Sequence, residues 1–567
     1  MKQYSTNHDY DTISTPPGRV QTFLSHPERR TLPVSCTLRV WNGNLADILG
    51  KMALDLKANC GCKLVLDGYE KTEAPYLKGK VSLYLGDHED VHYALDYGQF
   101  SLAQEKEGPV IEVADSMMDE DGYQGIISSW FTLLELFEDG NSHVTIDLSR
   151  LRSNGHTSTS GLVATGPVGK GQLESFYGIY VAITEYYNQR SIASLLNVFG
   201  VLNGTMMRGG VHKNGIITSS FPQWNPSLKE YLEVDITQIS GSHKMAIIMD
   251  DDSDYMLPDI VAAVRDKSYF LERRRQDGTY ANVCEGLFLK DNDTCNIWRI
   301  NFAKLVKTAT KSDDDFLHEV VNAFISGTED GCELHFNWRR MAAERGIDTS
   351  RYIPMEECKQ VGIDVMGLAN MLHNSGITYL EFVEDLELFL ATGSSNTIFP
   401  EALAEGYKAS TKIADEIAKK YGCQLDRIHT VEPAQSHSFE TTDVYGKTTC
   451  RGIWPPIRRM GPRQSQAVVN KLFNHGKVEI ASEVGADLYR RLCEAWYMLM
   501  QRYGKAHSIS YDLWHEVTEK SVKQWRSSVL PTKYYTEHIS TSHLDKVVRT
   551  ASPSCDLAAQ HCSVCEE

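Results

Sequence analysis

No stretch of this chain of 567 residues holds the ~18 uninterrupted apolar residues that a membrane-spanning helix needs. The leading MKQYSTNHDYDTISTPPGR is polar and lacks the apolar core of a secretory signal. With neither signal present, the thirteen cysteines are expected to be reduced thiols in a cytoplasmic protein rather than a disulfide framework. Positive charge is also in deficit: the net charge of −18 argues against nucleic acid or an anionic membrane as a partner. A phosphate-bearing ligand would have to be met by local backbone N–H groups and a few arginines. Internal repeats and low-complexity blocks are missing too.

What remains is ordinary globular material. Residues 1–31 are rich in Pro, Ser and Thr and read as an irregular lead-in. From Leu32 the pattern turns regular, with a strand-like PVSCTLRVW followed by a helix-like ADILGKMALDLKA. VSLYLG, PVIEVAD and VTIDLSRL read as strands, and GIISSWFTLLELFEDG as a helix stopped by glycine. Alternation continues to about residue 530, which favours an α/β architecture. Residues 539–567 have little periodicity and are expected to form a mobile tail.

Residues 281–302, ANVCEGLFLKDNDTCNIWRINF, are the most informative. Cys284 follows Asn282-Val283, Cys295 comes eleven positions later, and each lies beside an apolar run. This predicts two short buried strands or strand ends, each presenting one thiol. Two such thiols with an amide beside one of them suit redox or radical chemistry. The alternative is a pair of core cysteines, since free Cys is among the most buried residue types. The tail ends in Cys562-Ser-Val-Cys565. That CxxC is half a zinc site at most, because no second CxxC completes it. As a dithiol on a tail it could exchange with an internal disulfide, which needs only reach and access.

In order along the chain these pieces resemble the large catalytic subunit of ribonucleotide reductase, from about residue 32 to the C-terminus. Ser35-Cys36 in LPVSCTLRV resembles the strand with the family's first reducing cysteine, and Cys295-Asn296 in TCNIWRINFAKL the second. Asn282-x-Cys284 resembles the finger-loop motif whose cysteine becomes a thiyl radical, and Cys562/Cys565 the C-terminal redox pair. VEPAQSHS at 431–438 stands where the family has its phosphate loop, so Pro433, Ser436 and Ser438, with Ser35, would bind substrate. DLSRLRSNG, SGLVATGPVG and NGTMMRGGVH resemble the segments of the effector-reading loops. Asp115-Ser116, Arg152 and Arg208 would then hold a deoxynucleoside triphosphate effector such as TTP. A plain helix N-cap at Asp115 is the simpler alternative.

The resemblance implies a ten-stranded α/β barrel over 32–538 with a central finger loop, followed by a redox tail over 539–567. It implies reduction of ribonucleotides to 2′-deoxyribonucleotides: a radical on Cys284, Asn282 on the ribose hydroxyls, and Cys36/Cys295 as the two-electron reductant. The chain departs from the pattern at one point. The family's glutamate two residues past the radical cysteine, a base for the 3′-hydroxyl, is here Gly286, and Glu285 stands next to the cysteine. Neighbours on an extended loop face opposite ways, so either a rerouted loop brings Glu285 to the site, which is the expectation, or another group takes the role. His437 in the phosphate loop reads as a surface or satisfied core histidine.

Relatives differ in radical source. Tyr534-Tyr535 in LPTKYYTEHIST is similar to the tandem tyrosines that carry the oxidising equivalent from a metal-containing small subunit. The spacing of Cys284 and Cys295 looks instead like the monomeric adenosylcobalamin enzymes. The separate subunit is the expectation and adenosylcobalamin the alternative; no metal or cofactor is expected in this chain itself. Thioredoxin or glutaredoxin and a second copy of the chain are further expected partners, and no room is seen for the family's ATP cone. A non-catalytic nucleotide-binding paralogue or a generic thiol oxidoreductase are the readings from other classes. The five cysteines at redox positions argue against the first, and the nucleotide-loop motifs against the second.

Overall fold

The computed structural model describes residues 10–27, 31–58, 60–71, 79–86, 100–114, 122–150, 170–206, 216–239, 243–267, 269–433, 435–456, 478–513, 517–533, 535–539 and 547–549. The chain divides into two compact units: residues 1–38, 222–224 and 245–567, and residues 39–221 and 225–244. Among the described residues no helix is long and apolar enough to cross a membrane.

The second unit is α/β. Its four-stranded sheet is parallel throughout: the strand Lys80–Tyr84 lies between Phe100–Ala103 and His143–Asp147, and Val110–Glu112 pairs with the other side of His143–Asp147. The helix Leu45–Lys57 is capped by Asn44, whose side chain accepts the Asp47 N–H. On its buried face Asp55 forms a fully buried ion pair with Arg39 at 2.6 Å. The helix Ile126–Glu138 buries Ile126, Trp130, Leu133 and Phe137, an i, i+4, i+7, i+11 stripe.

The first unit begins with structure where an irregular lead-in was expected. Strand β1 (Ser14–Thr15) comes first, and helix α1 (Gly18–Ser25) follows it, with Val20, Phe23 and Leu24 at helical spacing and each buried. Strand β2 (Cys36–Val40) follows, then β3 (His243–Met249) and β4 (Phe270–Arg273), which pair in parallel. Next come the short strands β5 (Tyr280–Ala281), β6 (Phe288–Leu289) and β7 (Thr294–Cys295). Strands β8 (Ile297–Asn301), β9 (Gln360–Met366), β10 (Arg427–Val431) and β11 (Ala506–Ile509) form a parallel array, with β1 antiparallel on the outer edge of β8. Every residue of β8 and β9 is buried, as expected for parallel strands covered on both faces. Strand β12 (Thr532–Lys533) runs antiparallel to β4. Residues 547–549, within the expected tail, pair antiparallel with Tyr535–Ile539.

Helix α2 (Asp313–Glu344) starts at Ser312, whose Oγ accepts the Asp315 N–H, with three aspartates in its first turn. It lies close on the array because Gly327 and Gly331 face it. A Cβ at Gly327 would stand 2.7 Å from Ile300 Cγ1, and one at Gly331 2.8 Å from Trp298 Cβ. Helix α3 (Phe399–Lys420) packs alongside α2, with Gly406 against the Phe324 ring.

Candidate active site

Two thiols meet across a strand pair. β7 runs antiparallel to β2 with Cys295 directly opposite Cys36 and Thr294 opposite Thr37, and both cysteines are buried. Opposed residues of an antiparallel pair hold their Cβ atoms ~4.5–5.5 Å apart, a small adjustment from disulfide geometry. Burial disfavours a thiolate on either sulfur. On Cys36 this is outweighed by hydrogen bonds from Cys295, the Val283 backbone and Asn282 and by the charge of Arg19, so its pKa falls below the ordinary thiol value. Cys295, buried and beside Cys36 and Glu432, is held well above it. Ser35 is half-buried next to Cys36: its N–H donates to the Cys295 carbonyl (2.9 Å), and its own carbonyl accepts from Arg19 Nη1 (2.5 Å).

Cys284 is not on a strand. β5 and β6 form a hairpin, Tyr280 opposite Leu289 and Ala281 opposite Phe288, and residues 282–287 are its tip. The correction has a physical cause in Asn282. Its backbone N–H reaches the Leu287 carbonyl (2.8 Å), and its Oδ1 accepts the N–H groups of Gly286 (2.9 Å) and Leu287 (3.2 Å). The Asn282 carbonyl takes the Glu285 N–H at 3.1 Å. A local amide thus curls the segment that its apolar neighbours alone would have extended. Glu285 sits in the left-handed region at φ +61°, so the backbone is turned there rather than extended.

Three hydroxyls fix the tip from outside. Ser510 Oγ donates to the Cys284 carbonyl (2.7 Å), Thr532 Oγ1 to that of Glu285 (2.8 Å) and Thr430 Oγ1 to that of Gly286 (2.7 Å). They come from the residue past the end of β11, from β12 and from β10. His507 on β11 accepts the Phe288 N–H at Nδ1 (3.2 Å), and its Nε2 meets the Val361 carbonyl (3.1 Å). Burial holds this imidazole well below its ordinary pKa, so it is neutral with the proton on Nε2. Cys284 itself is half-buried and packs against Ala246 and Phe270, neither of which has an oxidisable O–H.

Asn282 also joins the tip to the thiol pair. Its Nδ2 donates to Cys295 Sγ (3.4 Å) and to Glu432 Oε1 (3.0 Å). Glu432, the residue after β10, was not among the residues expected from the sequence. It is 1% exposed, and burial, then Asp364 and Cys36, hold its carboxyl well above the usual range. Its backbone N–H donates to Asp364 Oδ1 (2.9 Å), while Asp364 Oδ2 takes Arg299 Nε at 2.7 Å. Burial raises Asp364 to about 6, against the opposing pull of Arg299. The one signal for Glu432 in the sequence was its place directly before Pro433.

The phosphate-loop segment is partly helical: α4 (Gln435–Glu440) begins two residues past Pro433. Pro433 is half-buried, Ser438 is buried, and Ser436 is described in its backbone only. His437 is buried with its Nε2 2.9 Å from Thr15 Oγ1, in keeping with a core histidine. Cys562, Cys565, Tyr534, Asp115, Ser116, Arg152 and Arg208 lie outside the described residues, as does the side chain of Tyr535. Among the described residues no group of three or more His, Cys, Asp or Glu could hold a metal ion.

No protein-family model and no curated protein sequence matches this chain. Among solved structures, a B-12 dependent (class II) ribonucleotide reductase aligns over 97% of this chain and 85% of its own, at a TM-score of 0.63 and 10% identity. The two share a fold. The class Id ribonucleotide reductase alpha subunit of Actinobacillus ureae aligns over 76% of this chain and 83% of its own, at a TM-score of 0.42 and 12% identity. The anaerobic enzyme of Thermotoga maritima reaches 0.34 at 10% identity, over 74% of this chain and 70% of its own.

Proposed function

We propose that the chain is a ribonucleotide reductase catalytic subunit, with β2, β7 and the Cys284 hairpin as its reaction centre. The observation that carries the reading is the pairing of Cys36 with Cys295, joined through the Asn282 amide to the tip that bears Cys284. That arrangement supplies a two-electron dithiol beside a third, separate thiol, which suits a radical reduction. The ten-stranded barrel with this hairpin as its central finger belongs to the same reading.

In that reading the Cys284 thiyl radical takes the hydrogen from C3′ of the ribose. The 2′-hydroxyl leaves as water with a proton from the cysteine pair. The second proton and two electrons from the pair place hydrogen on C2′ as Cys36 and Cys295 close an S–S bond, and Cys284 returns its hydrogen to C3′. Asn282 orients the ribose hydroxyls, where a small misplacement costs heavily in rate. The apolar contacts of Cys284 with Ala246 and Phe270 suit a radical that must not be quenched. Pro433, Ser436, Ser438 and Ser35 would meet the substrate, and Asp115, Ser116, Arg152 and Arg208 a deoxynucleoside triphosphate effector. Cys562 and Cys565 would reopen the disulfide and be reduced by thioredoxin or glutaredoxin.

The radical is assigned to a separate metal-containing subunit, reached through Tyr534 and Tyr535. The fold shared with a B-12 dependent enzyme favours adenosylcobalamin as the second reading. Ala246 and Phe270, which pack on Cys284, are apolar, and the chemistry above runs on this chain's own residues. The test measures deoxynucleotide formed from ribonucleotides with adenosylcobalamin alone and with a candidate metal subunit alone. Product with the subunit, lost in Tyr534→Phe or Tyr535→Phe, supports the first assignment. Product with adenosylcobalamin that survives both changes supports the second, and no product with either source refutes the reductase.

A further inference from the structure

Gly286 is a glycine for a reason that the hairpin alone does not supply. Its φ is not in the left-handed region, unlike that of Glu285 before it. What excludes a side chain is Glu432: a Cβ at residue 286 would stand 2.4 Å from Glu432 Oε1 and 2.5 Å from its Cδ. The carboxylate thus fills the space in which a side chain at 286 would begin. Its position is fixed from several directions. Asn282 Nδ2 holds Oε1 at 3.0 Å, Asp364 holds the Glu432 N–H at 2.9 Å, and Thr430, two residues earlier, holds the Gly286 carbonyl at 2.7 Å.

A carboxyl group buried at this depth is costly unless chemistry or a counter-charge retains it. Arg299, the nearby guanidinium, is given to Asp364 through Nε at 2.7 Å. Glu432 instead shares one amide with the redox sulfur of Cys295 and stands against the tip that carries Cys284. Breaking the C3′–H bond of a ribose is easier when the proton of the 3′-hydroxyl is accepted at the same time.

We propose that Glu432, rather than Glu285, is the carboxylate that accepts the 3′-hydroxyl proton, and that Gly286 is kept small to admit it. This rests on the reductase reading. The proton passes from O3′ to the Glu432 carboxylate as Cys284 takes the hydrogen atom from C3′. After water has left C2′ and the Cys36–Cys295 bond has closed, Cys284 returns its hydrogen to C3′ and Glu432 returns the proton to O3′. Glu432 is thus unchanged over a turnover, and the electrons come only from the two thiols.

The experiment compares the wild type with Glu432→Gln, Glu432→Ala, Glu285→Gln, Gly286→Glu and the double variant Glu432→Ala/Gly286→Glu. Deoxynucleotide yield is followed as a function of pH under the radical source that supports the wild type. Glu432→Gln is expected to lower turnover by roughly 10²–10⁴, the usual worth of a general base, while still binding ribonucleotide by calorimetry. Because burial raises the Glu432 carboxyl, wild-type turnover should fall on the acid side above the ordinary carboxylate range. That limb should survive in Glu285→Gln and vanish from the residual rate of Glu432→Gln. Gly286→Glu alone should be inactive, since its side chain collides with Glu432. The double variant, with a carboxylate rooted on the other side of the same space, should regain at least tenfold over Glu432→Ala. Wild-type turnover with an intact acid limb in Glu432→Gln overturns the proposal. A wild type that makes no deoxynucleotide overturns the reductase reading instead.

Discussion

Replacing Asn282 with alanine tests the account of how the Cys284 tip is built. Its oxygen accepts the Gly286 and Leu287 N–H groups, and its nitrogen reaches Glu432 Oε1 and Cys295 Sγ. Both amides are buried, so the truncation leaves them without that acceptor, at a cost of ~1–3 kcal/mol each. The two share one turn and do not add fully, so a local destabilisation of about 3 kcal/mol is expected. Because the rest of the unit keeps its packing, the loss should appear as local opening rather than global unfolding. Hydrogen exchange at Gly286 and Leu287 should accelerate roughly 100-fold, at about 1.4 kcal/mol per decade, while amides of β8 and β9 hold their wild-type rates. Asn282→Asp keeps the acceptor but loses the donor to Glu432. It should preserve most of the protection while setting a second carboxyl against the first. Wild-type exchange at both amides in Asn282→Ala would refute the claim that this side chain, rather than the β5–β6 pairing, curls the tip.

Mild oxidation of the reduced protein should join the peptides containing Cys36 and Cys295 in preference to any involving Cys332, Cys450 or Cys493, because only the first two are cross-strand partners; mass spectrometry showing no 36–295 link would refute the register. The pKa of Asp364 is raised in the fold from 3.8 to about 6. Its contribution to stability is therefore present below the unfolded value and lost as pH rises through about 6. Denaturation midpoints should fall between pH 4 and 6.5 in the wild type and fall less in Asp364→Asn; equal slopes would refute the assignment.

Much of this was legible in the residues themselves. The strand over 36–40, the helix over 45–57, the helix over 126–138 and the strand over 143–147 follow from period and punctuation, which are local. The lead-in was misread because α1 has only eight residues and three buried side chains; its helix depends on what covers it more than on its own pattern. Cys284 reads as on a strand or strand end because the apolar LFL run extends visibly in sequence, whereas the hydrogen bonds that curl the tip come from a side chain two residues before it.

The residue types alone placed two thiols and an amide within one stretch and a third thiol on a strand-like segment far from it, since chemistry is carried by composition and order. Only the tertiary structure decided which groups face one another. Glu432 is 150 positions from Asn282 and reaches it because β10 ends beside the hairpin tip. Cys36 meets Cys295 because β2 and β7 share a register, and a slip of one residue would turn each thiol to the opposite face. A sequence pattern records what a segment can bury and how it bends. Which carboxylate stands over Gly286 is set by packing between strands that are distant in the chain.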